Sequence, residues 1–174
     1  MNMASLPKCP HCGSKEVSRV EGFYRCAGCL TDFGRVPYDD NGVPMIEACS
    51  GLRFRFGDLI NGSVRLRMGQ DGDVCLYEIY DSNGGGLNKH ADMLDKAAWD
   101  KFRKELFNKV YVNDWNKEYI PVNDGTPVIT DQDWELSVIV DENEEYIFRG
   151  YGAFPVYWDK FMKLLKPILA NLEA

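Results

Sequence analysis

Four cysteines fall in two short pairs, Cys9-Pro-His-Cys12 and Cys26-Ala-Gly-Cys29, with thirteen residues between them. A C-x-x-C pair wraps two thiolates around one side of a cation, and two such knuckles complete a tetrahedron of sulfur. That donor set suits one Zn²⁺ per chain, and iron takes the same four ligands. The shell leaves no open coordination position, so the metal is expected to fold a short segment rather than to act on a substrate. His11 lies inside the first knuckle and reads as a surface residue once four thiolates are in place. Of the two remaining cysteines, Cys75 sits in the apolar run Val74-Cys75-Leu76-Tyr77 and reads as a small buried thiol.

A second set of residues is chemically suggestive. Arg53 and Arg55 alternate with Leu52, Phe54 and Phe56, and Arg65 and Arg67 alternate with Val64, Leu66 and Met68. Period two in both runs predicts strands with one apolar face and one arginine face. Paired as a hairpin, they put four guanidiniums together, a candidate surface for phosphate or another anion. The competing reading is a solvated face whose arginine stems cover apolar surface. From Glu118 to Phe148 the balance reverses, with nine acids and no lysine or arginine. Within that run Asp131, Asp133, Glu135, Asp141 and Glu142 form a candidate acidic interaction face. Clustered carboxylates also serve two-metal nucleases, but no basic partner lies in the run. Gly84–Gly86 lack the spacing of a phosphate loop and read as a flexible connection. His90 has no nucleophile motif near it, so a histidine-dependent triad is not expected.

These groups need elements to hold them. The stretch CPHCGSKEVSRVEGFYRCAGCLTDF runs as knuckle, strand, turn, aromatic strand and second knuckle, and it resembles a zinc ribbon. Leu30 stands where many ribbons carry glycine. The resulting division is a ribbon over 1–36, a Pro- and Asp-Asp-Asn-Gly-bearing linker over 37–50, and an α+β domain over 51–174. In that domain, Trp99-Asp100-Lys101-Phe102-Arg103-Lys104-Glu105-Leu106 matches Trp158-Asp159-Lys160-Phe161-Met162-Lys163-Leu164-Leu165 at six of eight positions. Strands are expected before each string, at 64–68 and 74–80 and at 134–140 and 145–151. This suggests two ββα halves forming an antiparallel sheet with two helices on one face. Asp92 or Asp95 is expected to cap the first helix, and Pro167 to kink or divide the second. The combination of Trp115, Tyr119, Asp124-Gly125, Trp134-Glu135-Leu136 and Tyr151-Gly152-Ala153-Phe154-Pro155 with Trp158 resembles a domain of small bacterial proteins. That resemblance brings no activity and no functional residue with it.

The 174 residues suffice for one ordinary core, and the net charge is −7. Residues 1–35 hold five bases against three acids, a local +2 that leaves −9 for the remainder. Without an apolar leader in residues 1–10 or an apolar run of membrane-crossing length, a cytoplasmic location is expected. The leading expectation is a non-enzymatic, zinc-binding, bacterial or phage interaction protein. It would meet a protein partner through the acidic domain or the ribbon, and its acids could imitate nucleic acid, as small inhibitors from mobile elements do. The alternative is a nucleic-acid-binding accessory factor using the ribbon and the Arg53, Arg55, Arg65 and Arg67 face. Neither a membrane nor catalysis is expected to be involved.

Overall fold

The computed structural model describes residues 6–58, 62–83, 86–123, 126–127, 133–140 and 144–170. The cysteine segment forms a small antiparallel sheet of β1 (Val17–Val20), β2 (Phe23–Cys26) and β3 (Asp32–Phe33), in that order. Gly22, at φ 84°, turns β1 into β2 in a conformation that costs a residue with a Cβ. Residues 37–50 contain more local structure than their turn composition suggests. The Asp39 carboxylate accepts backbone hydrogen bonds from Asn41 and Val43 at 2.9 and 2.8 Å. A helical turn, α1 (Met45–Ala48), follows with Met45 and Ala48 buried.

The main sheet begins as a four-stranded meander: β4 (Cys49–Asp58), β5 (Gly62–Asp71), β6 (Val74–Asn83) and β7 (Gly86–Leu94). Helix α2 (Lys96–Asn108) leads through a 3-10 turn at Val112–Asp114 to β8 (Glu118–Tyr119). Short strands β9 (Val122–Asn123) and β10 (Thr126–Pro127) pair with each other. The hairpin of β11 (Asp133–Val140) and β12 (Glu144–Tyr151) then adds beside β4, and α3 (Trp158–Leu169) closes the described chain. The seven-stranded order is β7-β6-β5-β4-β11-β12-β8, antiparallel except for the β12–β8 edge pair. The mixed α+β class is therefore as expected. Among the described residues, no helix is long and apolar enough to cross a membrane.

The halves are less alike than two ββα units. The matching strings do lie on α2 and α3, but β7 stands between β6 and α2. As an edge strand with the sequence Gly-Leu-Asn-Lys-His-Ala-Asp-Met-Leu, β7 lacks the alternation that marked its neighbours. Gly86, expected in a loop, opens this strand, while Gly84 and Gly85 lie outside the described residues. Asp95, not Asp92, caps α2, accepting a hydrogen bond from the Ala98 N–H at 2.8 Å. Helix α3 continues through Pro167 and ends at Leu169.

One face of the sheet is covered and the other is open. Leu52, Phe54, Leu66, Met68, Tyr77, Ile79, Trp134, Leu136 and Val138 are buried on the covered face. Against it α2 sets Trp99, Phe102 and Leu106, and α3 sets Phe161, Leu165 and Ile168. Trp158 is central, with ring centroids 4.8 Å from Trp134, 4.9 Å from Phe154 and 5.5 Å from Phe161. Each buried indole also finds an acceptor. Trp134 donates to the Ala153 carbonyl at 2.9 Å, Trp115 to the Val110 carbonyl at 3.0 Å, and Trp99 to Gln70 Oε1 at 3.0 Å. Burial of so much aromatic area without an unpaired N–H makes this face the principal source of stability.

The cysteine segment packs on the same core. Phe33 meets Tyr111 edge-on at 5.5 Å, and Tyr111 meets Tyr157 at 5.3 Å. Tyr157 donates a hydrogen bond to the Lys8 carbonyl at 2.5 Å, and Gly34 N–H donates to Asp114 Oδ2 at 3.1 Å. Burial raises the Asp114 pKa and the Gly34 N–H opposes that rise.

Candidate functional site

The fold brings together two sets of candidate groups. In the first, Sγ atoms of Cys9, Cys12, Cys26 and Cys29 all lie within 4.8 Å of one another. Cys9 and Cys29 are 3.6 Å apart, and Cys12 and Cys26 are 3.5 Å apart. A tetrahedral ion with metal–sulfur bonds of about 2.3 Å has sulfur–sulfur edges of about 3.8 Å, so the donor set fits a metal ion. The knuckles are shaped by backbone contacts: Gly13 N–H donates to the Cys9 carbonyl at 2.9 Å and Leu30 N–H to the Cys26 carbonyl at 3.1 Å. Gly13 and Leu30 both take positive φ, 77° and 60°. Leu30 is thus a leucine at a position whose backbone favours glycine, which explains the glycine of many ribbons and leaves the leucine itself without a structural reason.

The thiols are electrostatically unequal. The Thr31 hydroxyl, 2.8 Å from Cys29 Sγ, is the main cause that draws Cys29 down to about 6. Cys12 is held down by a backbone hydrogen bond from Ser14, yet desolvation and the three neighbouring sulfurs push it up to about 12. A cation in the centre relieves such crowding, because all four sulfurs then share its charge. The other two cysteines do not join this cluster. Cys49 and Cys75 are buried in the main domain, where desolvation raises them to about 11 and about 12.

The second set lies on the open face. Arg53 stands directly across from Arg67 and Arg55 from Arg65 in the β4–β5 register. The rows extend across the sheet by the remaining pairings. One runs Lys89–Tyr80–Arg65–Arg55–Glu135–Arg149–Glu118, and the next runs Ala91–Glu78–Arg67–Arg53–Ser137–Ile147. The arginines, with Ser63, Tyr80, Ser82 and Ser137, line a concavity of about 760 Å³. Gly51, Gly57 and Gly69 lie on the same face, at the ends of the two arginine pairs.

Six cations and three carboxylates occupy those two rows. Arg53 pairs with Glu145 at 3.2 Å, Arg149 with Glu135 at 3.0 Å, and Lys89 with Glu78 at 3.6 Å. The Tyr80 hydroxyl donates to Glu78 at 2.6 Å and, with Lys89, holds that carboxyl below the usual carboxylate range. Among the described residues, Arg55, Arg65 and Arg67 have no ion-pair partner. Like charges placed directly opposite on neighbouring strands are destabilising. Two such guanidinium pairs side by side concentrate positive charge locally in a chain of net charge −7.

Asp133 and Glu135 share this face, opposite Gly57 and Arg55. The acidic run and the arginine hairpin are therefore one surface, brought together because β11 pairs with β4. Asp131, Asp141 and Glu142 lie outside the described residues. His90 is opposite Ile79 and so is on the other side of the sheet from the arginines. Its Nε2 is 3.9 Å from Asp92 Oδ2. Sequence reasoning did not include Tyr80, Lys89 and Arg149 in the site. The signal for Tyr80 was available, since Leu76, Glu78 and Tyr80 alternate in β6, but their proximity to the arginines follows only from strand register.

Comparison with protein families, with curated proteins and with solved structures finds no match to this chain.

Proposed function

We propose that the protein is a nucleic-acid-binding accessory factor in which Arg53, Arg55, Arg65 and Arg67 receive backbone phosphates. The four cysteines hold one structural zinc ion that folds the N-terminal ribbon. The observation that carries the reading is the guanidinium block, central in a concavity and incompletely neutralised by neighbouring acids. Arginine's planar fork matches phosphate oxygens two at a time, and such charge-assisted hydrogen bonds are among the stronger polar contacts. The serines along the same surface add neutral donors. A metal held by four thiolates suits a reducing, intracellular setting.

Mimicry of nucleic acid by the acidic run has less support. Glu135 is engaged by Arg149 and Glu145 by Arg53, so both offer a partner reduced charge.

The test is fluorescence anisotropy with labelled oligonucleotides of mixed sequence, comparing the wild-type protein with Arg55→Glu/Arg65→Glu. Affinity should fall steeply with added salt, and the double reversal should cost at least ~100-fold while the circular dichroism spectrum stays unchanged. Binding that survives both salt and charge reversal would overturn the reading. Native mass spectrometry should find one zinc per chain, and chelation should unfold the ribbon; an iron-loaded or metal-free protein of unchanged stability would refute the zinc assignment.

A further inference from the structure

We infer that the basic face takes a single strand of nucleic acid, laid along the β4–β5 hairpin, and excludes a duplex. The inference rests on the nucleic-acid reading above and adds the form of the ligand. Its basis is the width of the positive strip. Arg65 and Arg67 lie on β5 and Arg55 on β4, so the charge without an ion-pair partner among the described residues is two strands wide, about 5 Å between backbones, with Arg53 beside it held by Glu145. On one side β6 places Glu78 beside Arg67. On the other, β11 places Asp133 and Glu135 beside Gly57 and Arg55, and β12 places Glu145 opposite Ile139.

Carboxylates thus flank the strip on both sides, and because Glu78 is already paired with Lys89 and Glu135 with Arg149, a phosphate beyond the strip meets neutralised charge rather than free guanidinium. One line of phosphates fits between the walls. A duplex carries two lines across a major groove about 12 Å wide or a minor groove about 6 Å wide, and seating one line on the arginines brings the other over a wall. Successive arginines along each strand are about 7 Å apart, which a stretched single strand can follow because its backbone is not held by base pairing.

Tyr80 supplies what a phosphate track alone lacks. It is the cross-strand neighbour of Arg65, at the margin of the strip, and its hydroxyl is fixed by Glu78 at 2.6 Å. Its ring faces the half-exposed Lys89 ammonium at 5.3 Å. A lysine is flexible enough to move aside, leaving an aromatic platform on which an unpaired base can stack while its phosphate meets Arg65. Bases inside a duplex are already stacked and cannot use it.

The experiment measures anisotropy on the full, metal-loaded chain with a labelled 12-nucleotide single strand, the same sequence as a duplex, and poly-glutamate. The single strand should bind at least about tenfold tighter than the duplex, with a log–log salt slope of about −2 to −3 for three or four phosphate contacts. Tyr80→Leu should weaken the single strand about five- to a hundredfold, and Tyr80→Phe should restore it, since stacking needs the ring and not the hydroxyl. Glu78→Gln/Asp133→Asn/Glu135→Gln should raise duplex affinity more than single-strand affinity, because the walls and not the floor reject the second phosphate line. Duplex binding equal to or tighter than the single strand would overturn this inference and leave the nucleic-acid reading intact. Binding of poly-glutamate alone, or of no ligand, would overturn both. Thermal melts of each variant separate loss of binding from loss of fold.

Discussion

The two faces of the seven-stranded sheet are made from the same strands by the same alternation, yet they are held to different standards. On the covered face every large side chain has an apolar neighbour and every buried indole N–H has an acceptor. On the open face like charges sit opposite one another, and Arg55, Arg65 and Arg67 make no ion pair among the described residues. Covered positions are chosen for what they do inside the molecule. The open ones place like charges together with little internal compensation, and the proposed phosphate contact would supply it. The difference also separates two kinds of measurement: substitutions on the covered face should move stability, and those on the open face should move binding.

The largest expected effect is on the covered face. Trp134 is 1% exposed and touches Trp115, Tyr119 and Trp158. Trp134→Ala should cost about 3–5 kcal/mol in chemical denaturation, from lost burial and the cavity it leaves. A loss below ~1 kcal/mol would mean that the aromatic cluster is not the keystone of this face. The next effect tests the same packing by adding an atom. A Cβ on Gly150 would lie 2.0 Å from Trp134 Nε1 and 2.5 Å from the Ala153 carbonyl oxygen. Gly150→Ala should therefore cost about 1–3 kcal/mol through overpacking, and it should also disturb the indole's hydrogen bond, visible as a shifted tryptophan emission.

The sequence makes the two-faced character of β4 and β5 plain, because Leu52, Phe54, Leu66 and Met68 alternate with arginines and alternation is local. The cysteine cluster is equally legible: short-range spacing brings the sulfurs of each knuckle together. What could not be read were relations between distant segments. Glu135 meets Arg149 and lies beside Arg55 only because the β11–β12 hairpin inserts next to β4, some eighty residues away in sequence. Strand β7 was obscured by glycines and by polar residues on both faces, which an edge strand tolerates because one side has no neighbouring strand. The seat of the cysteine module was hidden for a further reason. Tyr111 and Tyr157 look like ordinary core aromatics, and nothing in their local pattern says that their partner is Phe33.

A smaller effect sharpens the margin of the covered side, where that module joins it. Tyr157→Phe keeps the ring contact with Tyr111 and removes the hydrogen bond to the Lys8 carbonyl. The expected loss is about 1 kcal/mol, concentrated in the N-terminal module. Hydrogen exchange should show it as faster opening around Cys9 with little change in β11. Uniform acceleration across both regions would mean that the module and the sheet unfold as one unit.

The smallest stability effect belongs to the open face, and its sign decides whether the comparison holds. Arg65 lies directly opposite Arg55 and is exposed, without an ion-pair partner among the described residues. Truncation to alanine removes one repulsive contact and also the stem's contact with its neighbours, two terms of a few tenths of a kcal/mol and opposite sign. Arg65→Ala should therefore change stability by less than about 0.5 kcal/mol. Added salt should narrow the gap between variant and wild type, since screening already relieves the repulsion in the wild type. A loss above ~1 kcal/mol would make Arg65 a structural residue and remove the reason for expecting an external anion. A neutral or stabilising result, together with weakened oligonucleotide binding, would mark a side chain retained for contact outside the molecule.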